Sequence, residues 1–444
     1  MPATSIQAVP SAAPAPTRPA GESRRLMSID ALRGFDMFWI LGADSLVVAL
    51  HDMSPSGPTT FLANQLDHAE WQGFHFYDLI FPLFVFIMGI STVFSLTKII
   101  EREGRAGAVK RVLRRGVLLF VIGVIYSGGV TNVWPNLRLL GVLNRIALCY
   151  TFGGLMFVFL RPRGLVAAAA ALLLGYWALM AFVPIRDIHL QKDHLAALAE
   201  KSGDEKLAAQ FRDAASHNPS ATTGDPLWAA TKAMYLAATN TVSGKYEMGY
   251  NVANHFDFNY LPARKYDLFW DPEGILSTMP AIVTGLLGVF AGLFLQNKSV
   301  PDGRKVAWLA GAGAAGVALG FLWGIEFPVI KKIWTSSYVL VAGGYSAMLV
   351  GAFYWMVEVK QWRGWCQPFV WIGANPITLY LVSNLLGGLG FEKLAQRLAG
   401  GSVKNFFDVH VAAGCGELVL AAVGVLLFVW FARFLYRRNI FLRL

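Results

Sequence analysis

Charge is scarce in this chain. Asp, Glu, Lys and Arg make up 15% of its 444 residues, against 55% hydrophobic. A soluble protein of this length needs more charge to cover its surface. Cysteine is scarcer still. Cys149, Cys366 and Cys415 sit in or beside apolar runs and fit neither a disulfide framework nor a zinc motif. They read as inert buried thiols. Lys and Arg are absent from His51 to Phe76. The first 24 residues lack an apolar core and are rich in Ala, Pro and Ser. That predicts a disordered tail and excludes a signal peptide. No internal repeat is visible.

What the chain does have is apolar blocks of about 17–22 residues, long enough to cross a hydrocarbon core. Ten are read: Gly34–Leu50, Tyr77–Leu96, Val112–Val130, Leu139–Leu160, Gly164–Val183, Ile275–Leu295, Val306–Trp323, Tyr338–Val357, Val370–Leu386 and Cys415–Phe434. The fold class is therefore all-α: a polytopic membrane helical bundle of about ten transmembrane helices, with a partly helical external loop. Four regions are expected. Residues 1–24 form the disordered cytoplasmic tail. Residues 25–183 form a first membrane bundle of five spans, 184–272 an external cap, and 273–444 a second bundle of five spans. Within the cap, Leu195–Phe211 and Trp228–Ala238 have helical spacing, and Asn218–Pro226 reads as a turn-rich connector.

Charge sets the orientation. Lys98, Arg102, Arg105, Lys110, Arg111, Arg114 and Arg115 crowd the segment joining spans two and three. By the positive-inside rule that segment is cytoplasmic, and both termini fall on the same side. Lys331 and Lys332 are the short-loop exception. The net charge of +10 is thus mainly a topology signal. Basic residues flank spans and do not line one soluble face, which argues against a nucleic-acid partner. The expected location is a multi-pass plasma membrane, the inner membrane of a bacterium.

Ionisable groups at membrane depth need a partner or a purpose. Asp44 lies in the outer half of span one, and Asp78 begins span two. Arg138 and Arg145 are seven apart and share a face if span four is helical throughout. Asp271 and Glu273, in DPEG, introduce span six. Asn375 and Pro376 interrupt span nine, where freed backbone groups can line a cavity. His68, Trp71, His75 and Asp78 would share one face of a helix, but Gly73 weakens that helix, and a helical turn plus a kink reads equally well. Plainer readings stand beside these. Asp44 with Arg145 reads equally as a structural ion pair. Asp78, Asp271 and Glu273 read equally as helix caps, and His75 as a loop histidine. His68, His75 and Asp78 lack a recognised metal spacing, so no metal is expected.

Seven segments stand out in order: RLMSIDALRGFDMFWILGAD (Arg25–Asp44), HAEWQGFHFYDLIFPLFVFIMGIS (His68–Ser91), LRLLGVLNRIAL (Leu137–Leu148), DPEGILSTMPAIVTGLLGVFAG (Asp271–Gly292), KKIWTSSYVLVAGG (Lys331–Gly344), GANPITLYL (Gly373–Leu381) and RRNIFLRL (Arg437–Leu444). Together they resemble the bacterial relatives of heparan-alpha-glucosaminide N-acetyltransferase, a lysosomal membrane enzyme. The resemblance implies an acetyltransferase that takes acetyl groups from cytosolic acetyl-CoA and places them on an amino sugar or glycan across the membrane. It also implies that His68, the histidine of the HAxWxG segment, is catalytic. Where this chain has Asp44, the lysosomal enzyme has an assisting Asn.

An imidazole can act as general base, worth a factor of about 10²–10⁴ in rate, or carry the acetyl group itself. Asp44 or Asp78 is expected to orient it. CoA phosphates favour Arg, Lys or a helix N-terminus, which makes Arg33, Arg138, Arg145, Lys331 and Lys332 candidates. Trp334 is a candidate for stacking on the sugar or adenine. Asp271, Glu273 and Asn375 complete the expected binding set. Besides acetyl-CoA, the glycan acceptor and the bilayer, a homodimer is the candidate assembly. Three alternatives stay open: a proton-coupled sugar transporter, an O-acetyltransferase of a surface glycan, and a non-catalytic sensor.

Overall fold

The computed structural model describes residues 26–129, 131–132, 134–214, 225–385 and 390–442. The expected tail and residues 218–224 of the expected connector lie outside them. In chain order the helices are α1 Met27–Met53, α2 Gly57–Gln65, α3 Phe76–Tyr126, α4 Val142–Phe159, α5 Pro162–Phe182, α6 Lys192–Lys201, α7 Glu205–Asp213 and α8 Pro226–Ala237. They continue as α9 Val252–Tyr260, α10 Thr278–Gln296, α11 Asp302–Trp323, α12 Ser336–Val359, α13 Gln367–Ala374, α14 Pro376–Leu385, α15 Gly390–His410 and α16 Cys415–Arg437. Two short antiparallel pairs, Ile185–Arg186 with Thr241–Val242 and Tyr246–Glu247 with Tyr250–Asn251, are the strands among the described residues. The chain is an all-α polytopic membrane protein.

Eight of the described helices are long and apolar enough to cross a membrane: α1, α3, α4, α5, α10, α11, α12 and α16. They carry nine of the ten expected spans, because α3 holds two. Leu96 and Val112 would lie about 24 Å apart along one straight helix. Yet a Cβ on Gly154 would lie 3.8 Å from Leu96 and 3.1 Å from Val112. The helix therefore folds back on itself. Gly104, at φ 72° and ψ −175°, is the turning point, in a conformation that costs glycine little. The basic run from Lys98 to Arg115 surrounds this turn.

The expected ninth span is broken. Pro376 has no N–H and disfavours helical geometry in the residue before it. Asn375 duly sits at φ −133° and ψ 45°, between α13 and α14. Three helices escaped the reading of the sequence, and Gly57–Gln65, a short capped helix in the loop after the first span, is one of them. Val252–Tyr260 is too short to announce itself, and Gly390–His410 carries too many charges to read as a span. The expected Leu195–Phe211 helix is two helices. Gly203, at φ 83°, ends α6, and the Asp204 side chain caps α7.

Packing of the bundle rests on close approach. Lipid removes most of the hydrophobic drive between helices, so fit decides. A Cβ on Gly89 of α3 would sit 2.0 Å from the Gly285 carbonyl oxygen of α10. The pairs Gly89–Gly285 and Ile90–Gly292 ascend together along the two chains, so these halves run parallel. Residues 188–214 and 225–270 contribute a second, smaller core over one end of the bundle, around Leu195, Phe211, Phe258, Phe269 and Trp270. This is the cap. Gly89→Ala is expected to destabilise the protein by about 1–3 kcal/mol through overpacking. Gly175→Ala, with no atom within 4 Å of the added methyl, is the silent control. Melting in detergent checks both, and equal melting of Gly89→Ala and the parent would refute the packing account.

Candidate active site

His68 lies in a loop, and the loop is pinned from three directions. The Trp71 indole N–H donates to the Tyr246 carbonyl of the cap at 2.8 Å. The Gly73 N–H donates to the Val329 carbonyl at 3.0 Å, beside a bridge between Gln72 and Ile330. Gly73 itself sits at φ 131°, which glycine tolerates and other residues do not. The expected helical face from His68 to Asp78 is therefore not formed. The chain reverses at Gly73 and brings His68 back onto the first turn of α3.

Asp78 receives it. Its Oδ2 accepts the backbone N–H groups of Ala69, at 3.2 Å, and His75, at 3.0 Å. Its Oδ1 lies 2.9 Å from His68 Nδ1 and 3.3 Å from Lys331 Nζ. The Tyr338 hydroxyl donates to the Asp78 carbonyl at 2.7 Å. His75 is thus the N-cap of α3 and Asp78 the third helical residue of its capping box, and the same carboxylate also touches the His68 ring. The Asp78 side chain is fully buried, while the His68 side chain is 48% exposed.

Asp44 reaches this group indirectly. Its Oδ2 accepts the Tyr77 hydroxyl at 3.1 Å, and the Tyr77 ring lies 4.9 Å from the His68 ring. The expected pairing of Asp44 with Arg145 does not form. Arg145 instead donates to Ser277 and to the Gly274 carbonyl, and stacks over Trp334 at 4.9 Å. Tyr77 was missed in the sequence, though it stands beside Asp78 in the same motif.

A cavity of about 560 Å³ opens beside His68. Charged groups ring it: Glu70, Arg138, Arg145, Glu273, Lys331 and Lys332. Met37, Ile40, Phe84, Ile146 and Ile377 make an apolar floor. Phe84 is six residues, about 9 Å along the axis, beyond Asp78, so the cavity descends into the bundle. Trp334 lines its wall, with one face covered by Arg145.

The other expected binding residues divide. Arg138 holds Asp271 with two bonds of 2.9 and 2.8 Å and Glu273 with one of 2.7 Å. Helix α4 begins only at Val142, so Arg138 and Arg145 do not share a helical face; they converge on the DPEG turn from a loop and a helix. Asp271 stands behind the cavity wall. Arg33 and Asn375 do not line the cavity. Arg33 donates to Ser91 at 2.8 Å and to the Gly373 carbonyl at 3.2 Å, joining three helices. Asn375 donates to the Ile440 carbonyl at 2.9 Å and accepts from Leu442 N–H. His75 turns to the Asp67 carbonyl at 3.0 Å.

Burial pushes the Lys331 ammonium below the ordinary lysine value, with Asp78 pulling the other way. Burial likewise pushes the Asp257 carboxyl up to about 7, against the backbone N–H of Ile275. Asp257 underlies the DPEG turn, accepting Ile275 N–H at 3.0 Å and Asp271 N–H at 3.4 Å.

A family model described as "Heparan-alpha-glucosaminide N-acetyltransferase, catalytic" matches residues 25–198. The heparan-alpha-glucosaminide N-acetyltransferase of Mus musculus is 30% identical over 337 residues, covering 72% of this chain and 49% of that protein. The one from Homo sapiens is 29% identical over 336 residues, covering 71% and 48%. The chain spans about half the length of these curated relatives.

Folding favours the protonated Asp257 carboxyl. Its contribution is complete below the ordinary value of 3.8 and is lost as pH rises to about 7. The protein is therefore expected to melt lower at pH 7 than at pH 4 on this account, and Asp257→Asn to flatten that slope. Equal slopes for the two proteins would refute it.

Proposed function

The chain is a relative of heparan-alpha-glucosaminide N-acetyltransferase, and from that premise we propose that it transfers acetyl groups from acetyl-CoA to an amino sugar, with His68 as general base. The cap end faces the outside in this reading, and the basic turn at Gly104 faces the cytoplasm. What carries the proposal is the 2.9 Å contact of His68 Nδ1 with Asp78 at the mouth of a cavity that descends into the bundle.

The chemistry follows from that contact. A proton on Nδ1 is held by the Asp78 carboxylate, which leaves Nε2 with a basic lone pair. The acceptor amine attacks the thioester carbon. Its N–H proton passes to Nε2 as the C–N bond forms. The C–S bond breaks, and the CoA thiolate takes the proton from the imidazolium to leave as thiol. Asp78 stabilises the imidazolium between these steps. The apolar floor suits the thioester arm, and the charged rim suits a polar acceptor. Asp44 and Tyr77 buttress the ring from the other side.

Purified protein supplied with acetyl-CoA and glucosamine is expected to release CoA. His68→Ala is expected to slow release by about 10²–10⁴-fold. Asp78→Asn is expected to slow it as well, and Tyr77→Phe less so. A His68→Ala protein working at the parent rate would remove this centre. Acetate trapped on the protein without acceptor would replace the general-base route with a covalent one.

A further inference from the structure

We propose that Lys331 is a positioning residue that selects the tautomer of His68. The inference rests on the reading of His68 as the base. Lys331 Nζ lies 2.9 Å from His68 Nδ1, 3.4 Å from Nε2 and 3.3 Å from Asp78 Oδ1. Its side chain is only 18% exposed. Oδ2 of Asp78 is occupied by two backbone N–H groups, so the ring and the ammonium share Oδ1.

That geometry has two exclusive arrangements, because Nδ1 bears either a proton or a lone pair. In the first, Nδ1–H donates to Oδ1 and Lys331 donates to the same oxygen. The ring then presents a basic Nε2. In the second, Lys331 donates to the Nδ1 lone pair, and the ring proton sits on Nε2. The second arrangement has no base to offer the acceptor. The ammonium bonded to Asp78 Oδ1 favours the working tautomer, and this is the arrangement assigned to the active site; its transfer to the Nδ1 lone pair would idle the ring.

The segment around Lys331 is fixed to do this. The Gly73–Val329 hydrogen bond and the Gln72–Ile330 bridge tie its backbone to the His68 loop. The Thr335 hydroxyl accepts Ile330 N–H at 3.0 Å, closing the turn from the other side. The charged groups that face Lys331 are Asp78 and His68 from the loop and α3, Glu273 from the DPEG turn, and its neighbour Lys332. Glu70, Arg138 and Arg145 share the cavity rim. Among the described residues Asp78 is the carboxylate in direct contact, and burial of the ammonium lowers its proton affinity. The wild-type rate is thus expected to fall on an alkaline limb that begins below the ordinary lysine range.

The test is a pH series of kcat and KM on the full-length protein, from about pH 6 to about pH 10, for wild type, Lys331→Arg, Lys331→Met and His68→Ala. Lys331→Met is expected to lose about 10–100-fold in kcat, with KM for acetyl-CoA little changed. Lys331→Arg is expected to recover part of that loss and to move the alkaline limb out of range, since guanidinium does not deprotonate. A tautomer readout needs no turnover. In ¹⁵N-histidine protein, with His68 assigned by its loss in His68→Ala, Lys331→Met is expected to change the shares of Nδ1–H and Nε2–H. Unchanged ring shifts, or a loss confined to KM for acetyl-CoA, would overturn the role and make Lys331 a phosphate contact. An active His68→Ala protein would instead sink the underlying reading, so the two failures are distinguishable.

Discussion

The Asp78 carboxylate is the constraint on which the site hangs. A buried carboxylate stays charged only when its oxygens are satisfied. Here each oxygen has a separate task. Oδ2 gathers the two backbone N–H groups that fix the loop, and Oδ1 faces the imidazole and the ammonium. The position also lies in the first turn of α3, where free N–H groups and the helix dipole favour negative charge. Loop shape, ring position and helix start are therefore one arrangement. Removing the carboxylate would disturb all three together.

The same logic runs through the rest of the cap end. Arg138 spends its guanidinium on Asp271 and Glu273, and Arg145 fills the space between the DPEG turn and Trp334. Beneath them Asp257 holds the turn by its backbone. Charges that would be costly alone at membrane depth are matched within one connected group. The group is rigid because each member is held by at least one residue from another element. Trp71, locked between Tyr246 and the edge of Trp270, extends that rigidity into the cap. A general base must be held in place before an acceptor arrives; on the proposed reading of His68, these contacts are what would hold it.

Much of this could be read from the sequence, and the failures share a cause. Apolar length identified the spans, including both halves of α3, because crossing a membrane is a local demand on composition. The spacing of His68 and Asp78 left a continuous helix and a kink at Gly73 equally open, and the kink is what brings the two side chains into contact. A helix spacing of ten residues and a reversal at Gly73 bring the same two groups together, and only backbone geometry distinguishes them. Asp44 was matched to Arg145 because opposite charges at similar depth invite pairing. Which hydroxyl or guanidinium lies nearest depends on helix rotation, which composition does not carry; Tyr77 wins. Arg33 was a candidate because phosphates favour guanidinium, and Asn375 because a broken span can line a cavity. Both in fact join distant segments. Lys331, the exception to the charge asymmetry, is accounted for by its contact with Asp78.

Asn375 and Pro376 show how a membrane helix can be broken without exposing backbone to lipid. Irregular backbone at that depth is tolerated where it is buried in protein or lines a cavity. Both conditions are met. The Asn375 amide bonds the Ile440 carbonyl and accepts Leu442 N–H, so the motif around Gly373 and the motif near the end of the chain meet in space. Immediately after the break, Pro376, Ile377 and Tyr380 turn toward the cavity. The break thus gives the cavity a wall that a continuous helix would have set at a different rotation. It also ties the floor of the cavity to the backbone of Ile440 and Leu442.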